Sequence, residues 1–202
     1  MVVEGILIAS SAILMLGARL RTAIAAYAAF TATTLSLAFP HGGHVRSLAI
    51  FVTLASIKLL VVPATLVVLV RRYNVPERLD PSFGTAWRIL FAVIAIVAGH
   101  EAGRIDAFAG VPLAGATFTA IFASVAAIVL HRNLLAHVIG LLALGSSIAL
   151  TGAVFASGLP AGVELADTFD VVMATVVALG VARAIVGFDP TLDVRSLRSL
   201  RG

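Results

Sequence analysis

The sequence predicts an all-α protein: a polytopic bundle of about seven transmembrane helices, N-terminus outside and C-terminus in the cytoplasm. Three observations carry that expectation. Of 202 residues, 60% are hydrophobic and 12% charged, against about 25% charged in a typical soluble domain. Apolar runs close to a bilayer's thickness recur between turn-forming or charged breaks. The basic residues collect on alternate breaks. With 14 basic and 10 acidic side chains, the chain cannot clothe a water-soluble globule. That excludes an ordinary soluble enzyme, a disordered protein and a disulfide-stapled secreted module.

The first run, Gly5–Ala18, is preceded by Glu4 rather than by a basic segment, and Arg19 and Arg21 follow it directly. It reads as a retained span rather than a signal peptide. The second, Thr22–Phe39, stops at the turn cluster Pro40-His41-Gly42-Gly43-His44. The third, Ser47–Val70, ends at Arg71 and Arg72, and Asn74–Asp80 lies in the longest polar connection, with Pro76 inside it and Pro81 just after. The fourth, Gly84–Gly99, is short and carries Arg88, expected to snorkel to the headgroups beside Trp87.

The fifth and sixth runs, Pro112–Leu130 and Leu134–Ser157, flank the break that holds Arg132, and Gly158-Leu159-Pro160-Ala161-Gly162 closes the sixth. The seventh is Leu165–Val186. About 20 residues at about 1.5 Å each match a hydrocarbon core of about 30 Å. None of the runs alternates polar with apolar residues, which argues against a membrane β-barrel. The expected organisation is one transmembrane domain, residues 1–188, and a short cytoplasmic tail, residues 189–202.

Charge placement tests the count. With the tail in the cytoplasm and seven crossings, the inside holds Arg19, Arg21, Arg71, Arg72, Arg78, Arg88, Arg132, Arg195, Arg198 and Arg201. The outside holds only Arg46 and Arg104, together with Glu4, Glu101, Asp106 and Glu164. This is the asymmetry of the positive-inside rule, and it vanishes if the fourth run does not cross. Net charge +4 and a sequence pI of about 10.6 therefore orient the chain; no basic stripe follows a nucleic-acid backbone. The absence of cysteine removes thiolate zinc, iron–sulfur and thiol-nucleophile chemistry.

A few ionisable groups have no easy route to water. Lys58 sits at the middle of the third run, where a charge costs a few kcal/mol even on lenient insertion scales. Pro63, five residues on, withholds a hydrogen bond from the Leu59 carbonyl and favours a kink there. Lys58 is then either a proton-relay position or one half of a structural lysine–carboxylate pair. Glu164, Asp167 and Asp170, three residues apart on the seventh run, form an acidic ridge on one helix face. That ridge either carries protons or serves as an outward vestibule that sets topology.

His137, near the cytoplasmic end of the sixth run, either passes protons or hydrogen-bonds a neighbouring carbonyl. His100 and His137 fall at opposite membrane faces, which argues against haem. His41 and His44 lack the further ligands a metal needs. No nucleotide or hydrolase motif occurs, and no cofactor is expected. Gly140, Ala143, Gly145, Ser146 and Ser147 favour close packing of the sixth helix against another.

In order, Ile57-Lys58-Leu59-Leu60-Val61-Val62-Pro63, the run Arg132 to Leu144 (RNLLAHVIGLLAL), Leu159-Pro160, Val163-Glu164-Leu165 and Phe169-Asp170-Val171-Val172 resemble the hydrogenase-4 component E family. Residues 131–188 are also similar to the small three-helix subunit shared by complex I and Mrp-type antiporters. Membership implies a multi-pass subunit of a prokaryotic cytoplasmic membrane. It also implies large antiporter-like membrane subunits as partners and a contribution to proton or cation translocation, without redox catalysis by this chain.

One departure bears on mechanism. The family's run continues Leu-Glu-Asn-Gly, whereas this chain has Leu144-Gly145-Ser146-Ser147, and no acid occurs between Asp106 and Glu164. His137 stands where the family usually has glutamine. Two readings follow: a subunit that supports ion translocation through Lys58, Asp170 and His137, or a structural subunit with no ion path, making packing, lipid or quinone contacts.

Overall fold

Helices form where the apolar runs are, and turns where glycine, proline and charge interrupt them. The computed structural model describes residues 2–38, 52–53, 55–72, 77, 79, 82–108, 110–111, 113–155, 172, 175–176 and 180. Among these residues the regular structure is all helical and contains no strand. The order is α1 (Val2–Leu16), α2 (Leu20–Ala38), a π-helical turn (Ile57–Val61) running into α3 (Val62–Arg72), α4 (Thr85–Ala102), a 3-10 turn (Asp106–Phe108), α5 (Ala114–Leu130) and α6 (Leu134–Phe155). Val172, Thr175, Val176 and Gly180, in the expected seventh span, are helical. The remainder of that span and the tail lie outside the described residues.

Helices α4 and α6, of 18 and 22 residues, are long and apolar enough to cross a membrane, while α5 and most of α1 are shorter apolar helices. The fourth run, the shortest by sequence apart from the first, continues to Ala102 before Gly103 ends it. Asn133 caps α6: its Oδ1 accepts the Leu135 N–H at 2.9 Å, using one of the four donors a helix start leaves open.

Helices α1 and α2 form a hairpin through Gly17–Arg19, and α5 and α6 another through His131–Asn133. The two hairpins pack side by side, α1 on α5 and α2 on α6, so the four helices close a ring. Its interior is filled by Leu7, Leu14, Met15, Tyr27, Phe30, Ile139, Leu142 and Leu150, all nearly solvent-free. Helix α4 packs outside the ring along α5 and touches α1, and the π-turn and α3 lie along α2.

The α4–α5 contact is a backbone contact. A Cβ on Gly99 would stand 2.4 Å from Thr119 Cα, and one on Gly103 would stand 2.2 Å from Gly115 N. The next face of α4 has no such partner among the described residues: Trp87, Leu90, Ile94 and Val97 are exposed, as are Ile6 and Ile13 on α1, and Phe122, Val125 and Val129 on α5. Large apolar side chains ring the outside, while alanine, serine and threonine join the large apolar residues of the interior. That distribution suits lipid or partner helices as the surroundings, not water.

At one end of the bundle Phe108, Phe118 and Phe155 meet with ring centroids 5.1 to 5.9 Å apart, pinning the α4–α5 connection onto both helices of the second hairpin. Leu113, which begins α5, holds φ at 64°, a left-handed conformation costing about 1 kcal/mol or more for such a residue. The aromatic cluster and the tight Gly103–Gly115 approach hold that turn in place.

A Gly99→Ala substitution should therefore destabilise the protein by about 1–3 kcal/mol, the usual range for overpacking. Gly5→Ala, where nothing lies within 4 Å of the added carbon, should be neutral or slightly stabilising, because alanine favours a helix over glycine. Thermal unfolding of the two variants in the same detergent checks the contrast; equal melting temperatures would remove the close approach as a stabilising feature.

Candidate functional site

Two polar regions within the apolar bundle are candidates for the site. The first is the π-turn. Pro63 has no N–H to give the Leu59 carbonyl, and the ladder slips by one residue ahead of it, so that the Val62 N–H bonds Ile57 O, five residues back. Thr65 Oγ1 donates to Val61 O and, at 3.0 Å, to Val62 O, partnering carbonyls beside the slip. The kink expected at Pro63 thus takes the form of a widened turn. Lys58 lies within that turn and is 3% exposed, while its neighbours Leu60 and Val61 are exposed. Turns of this type inside helices recur at functional positions.

The second region lies at the end of the bundle where the two hairpins turn. Arg88, on α4, is 8% exposed and Trp87 beside it 59%, so the expected snorkelling of Arg88 to the headgroups is overturned. Its Nη2 instead donates to Met15 O at 3.3 Å and Gly17 O at 3.4 Å. The physical reason is that the last carbonyls of α1 have no partners of their own and carry the negative end of the helix dipole. His131, 3% exposed, reaches the same place from the α5–α6 turn: Nδ1 lies 2.9 Å from Ala127 O and Nε2 lies 3.2 Å from Gly17 O.

The surrounding backbone is also cross-linked. Leu20 N–H donates to Glu77 O and Leu79 N–H to Ala18 O, and Ser82 N–H donates to Leu130 O. Arg132 Nη2 donates to Ser82 O at 2.6 Å. The α1–α2 turn, the α5–α6 turn and Glu77, Leu79 and Ser82 are thereby one hydrogen-bonded junction. Arg21 pairs with Glu77 at 2.5 Å on its exposed side, where an ion pair contributes about 1 kcal/mol or less.

Between these regions runs a neutral layer of hydroxyls at mid-bundle. Ser124 and Ser147 Oγ atoms are 3.1 Å apart across α5 and α6, and Thr31 Oγ1 lies 3.4 Å from Ser146 Oγ across α2 and α6. Ser124, Ser146 and Ser147 also donate to carbonyls of their own helices. Gly145, next to Ser146 in the chain, is half-buried. No ionisable side chain joins the hydroxyl layer among the described residues.

His137 is half-buried in the first turn of α6, and its Nδ1–H donates to Asn133 O at 2.9 Å, one of the two roles open to it. Glu164, Asp167 and Asp170 lie outside the described residues, as do His41 and His44. At the opposite end, a cavity of about 270 Å³ between α1, α4 and α5 is lined by Glu4, Leu7, Ile8, His100, Arg104 and Thr119 among others. Sequence reasoning passed over His131. Its place between two spans gave no periodic signal, and the carbonyl it approaches is 114 residues away.

Burial holds His131 below the ordinary histidine value, and Arg88 and His137 add to that; the Ala127 and Gly17 carbonyls act the other way. Comparison with protein-family models, with curated proteins and with solved structures gives no match.

The sign of the pH dependence follows. Between its depressed folded pKa and about 6.5 unfolded, His131 binds more protons in the unfolded chain. Its contribution to stability is therefore complete above about 6.5 and lost as pH falls through the folded value. The melting temperature in detergent should drop between pH 7 and pH 5, and His131→Gln should flatten that drop. An unchanged slope in the variant would assign the pH dependence to other groups.

Proposed function

We propose that this chain is a multi-pass membrane subunit of a complex I-like or Mrp-like assembly, similar to hydrogenase-4 component E, that supports proton or cation translocation. The observation that carries the reading is Lys58, an ionisable side chain buried on a widened turn inside an otherwise apolar helix. A bilayer makes such a residue expensive, so its presence points to use. The membrane setting is supported by two helices long and apolar enough to cross and by the apolar rim of α1, α4 and α5.

In this reading seven spans cross a prokaryotic cytoplasmic membrane with the N-terminus outside. Residues 1–188 form the transmembrane domain and 189–202 a cytoplasmic tail. Large antiporter-like subunits are the partners, seated against the exposed face of α4. Protons move through ordered water past Lys58 and Asp170, driven by charge changes in those neighbours, with His137 at the cytoplasmic end and Glu164 and Asp167 at the outer one. The chain itself performs no redox step.

A structural subunit with lipid or quinone contacts is the second reading, and one observation favours it. The layer at Gly145, Ser146 and Ser147 is neutral and satisfied by its own helices, so it supplies no fixed charge to couple to.

Lys58→Met and Asp170→Asn, each in the assembled complex, should lower proton uptake in reconstituted vesicles at least tenfold while leaving assembly intact. Unchanged uptake in both variants would reduce the two residues to packing. Gly145→Glu, which returns the carboxylate, should raise coupled uptake if the chain is a weakened carrier. A rise would weigh against the structural reading, and no rise beside intact assembly would support it.

A further inference from the structure

The two nitrogens of His131 both face carbonyl oxygens, Ala127 O at 2.9 Å and Gly17 O at 3.2 Å. A carbonyl only accepts, and a neutral imidazole carries one N–H. A neutral ring therefore satisfies one contact and turns a lone pair on the other. The shorter contact takes the proton, so Nδ1–H donates to Ala127 O and unprotonated Nε2 faces Gly17 O. Gly17 O meanwhile accepts from Arg88.

We propose that His131 is a proton-binding latch: one proton from solvent, taken up at Nε2, makes the ring a double donor and sets a second cation beside Arg88 on the Gly17 carbonyl. The added hydrogen bond pulls the α5–α6 turn toward the α1–α2 turn. The new charge repels Arg88, which is held by the same oxygen and by Met15 O. The two donors compete, and the junction exchanges one partner of Gly17 for the other. The inference stands apart from ion translocation, because it concerns only where this chain binds a proton and what moves when it does.

The charged groups around the ring are accounted for element by element. The α1–α2 turn brings Arg19 and Arg21, both exposed, with Arg21 on Glu77. Helix α4 brings Arg88, the α5–α6 turn brings Arg132, held on Ser82 O, and α6 brings His137, held on Asn133 O. Arg78 and Asp80, in the same connection, lie outside the described residues. Among the described residues, then, Arg88 is the cation that shares an acceptor with His131. Its Nε makes no hydrogen bond, so apart from the Gly17 carbonyl the guanidinium is anchored on Met15 O, at 3.3 Å.

The test is nitrogen NMR on the full chain in nanodiscs with ring-labelled histidine, assigned by His131→Gln or, where that variant does not fold, by elimination with His41→Gln, His44→Gln, His100→Gln and His137→Gln. At pH 8 the His131 ring should be neutral and protonated on Nδ1. Acid should convert it to the imidazolium with a midpoint below the ordinary value of about 6.5. Arg88→Gln should raise its proton affinity about tenfold, and the Leu20 and Leu79 amides should exchange faster with the same midpoint as the ring.

Three results would overturn the latch: a ring protonated on Nε2 at pH 8, a ring that stays neutral to pH 4 in folded protein, or a midpoint indifferent to Arg88→Gln. Amide exchange that ignores the ring's titration would overturn the coupling to the turn.

Discussion

The hydrogen bonds from Arg88 to the end of α1 fix the geometry on which the other contacts of this protein depend. A guanidinium is costly to bury, and it is tolerated here because the carbonyls at the end of α1 offer a concentrated partial negative charge without intrahelical donors. Holding Met15 O and Gly17 O from α4 sets the height of α4 against the ring. That height, in turn, brings Gly99 and Gly103 opposite Thr119 and Gly115, where only glycine leaves room for the two backbones to pass. The same oxygen of Gly17 meets His131, so the second hairpin is registered against the first at one atom.

Away from that junction the bundle is held by shape. Lipid tails are as apolar as leucine, so in a bilayer the large side chains on the rim gain little by burial, and small residues in the interior gain by letting helices approach. Helix α5 shows this directly: its buried face is Ala114, Thr117, Thr119, Ala120, Ala123, Ser124, Ala127 and Leu130. The hydroxyls among them return their protons to their own backbones, so the neutral layer costs little desolvation. The pair Ser124 and Ser147 has two protons for three contacts, counting Ala120 O, Ala143 O and each other. One contact is always without a proton, which leaves the pair three arrangements and no charge.

The helices were legible in the sequence because apolar runs and glycine or proline breaks are local signals, and the described elements begin and end within a few residues of those breaks. A disturbance ahead of Pro63 follows from the chain itself, because a missing N–H leaves a carbonyl open, but the slip by one residue that it takes here has no signature in the sequence. Arg88 was misread because sequence gives its depth along a helix but not its azimuth, and the azimuth is decided by α1, more than seventy residues earlier. His131 lay between two spans, where no periodicity exists to draw attention. Both failures concern side chains whose partners are backbone carbonyls, which carry no residue signature at all.

That contrast bears on how the chain uses its ionisable groups. Among the helices at mid-bundle this chain carries serines that need no counter-ion. Where α1 ends, a buried arginine and a buried histidine meet at one carbonyl. Lys58 lies on the π-turn along α2, and the Arg88–His131 junction lies where α2 begins. Both places border α2, a helix whose buried face carries Thr31, Thr33, Thr34 and the Tyr27 phenol but no charged side chain. The buried charged groups thus lie at a helix end and a helix slip rather than in the hydroxyl layer. A structural role for the neutral middle and an exchanging role for the ends are then compatible within the same bundle.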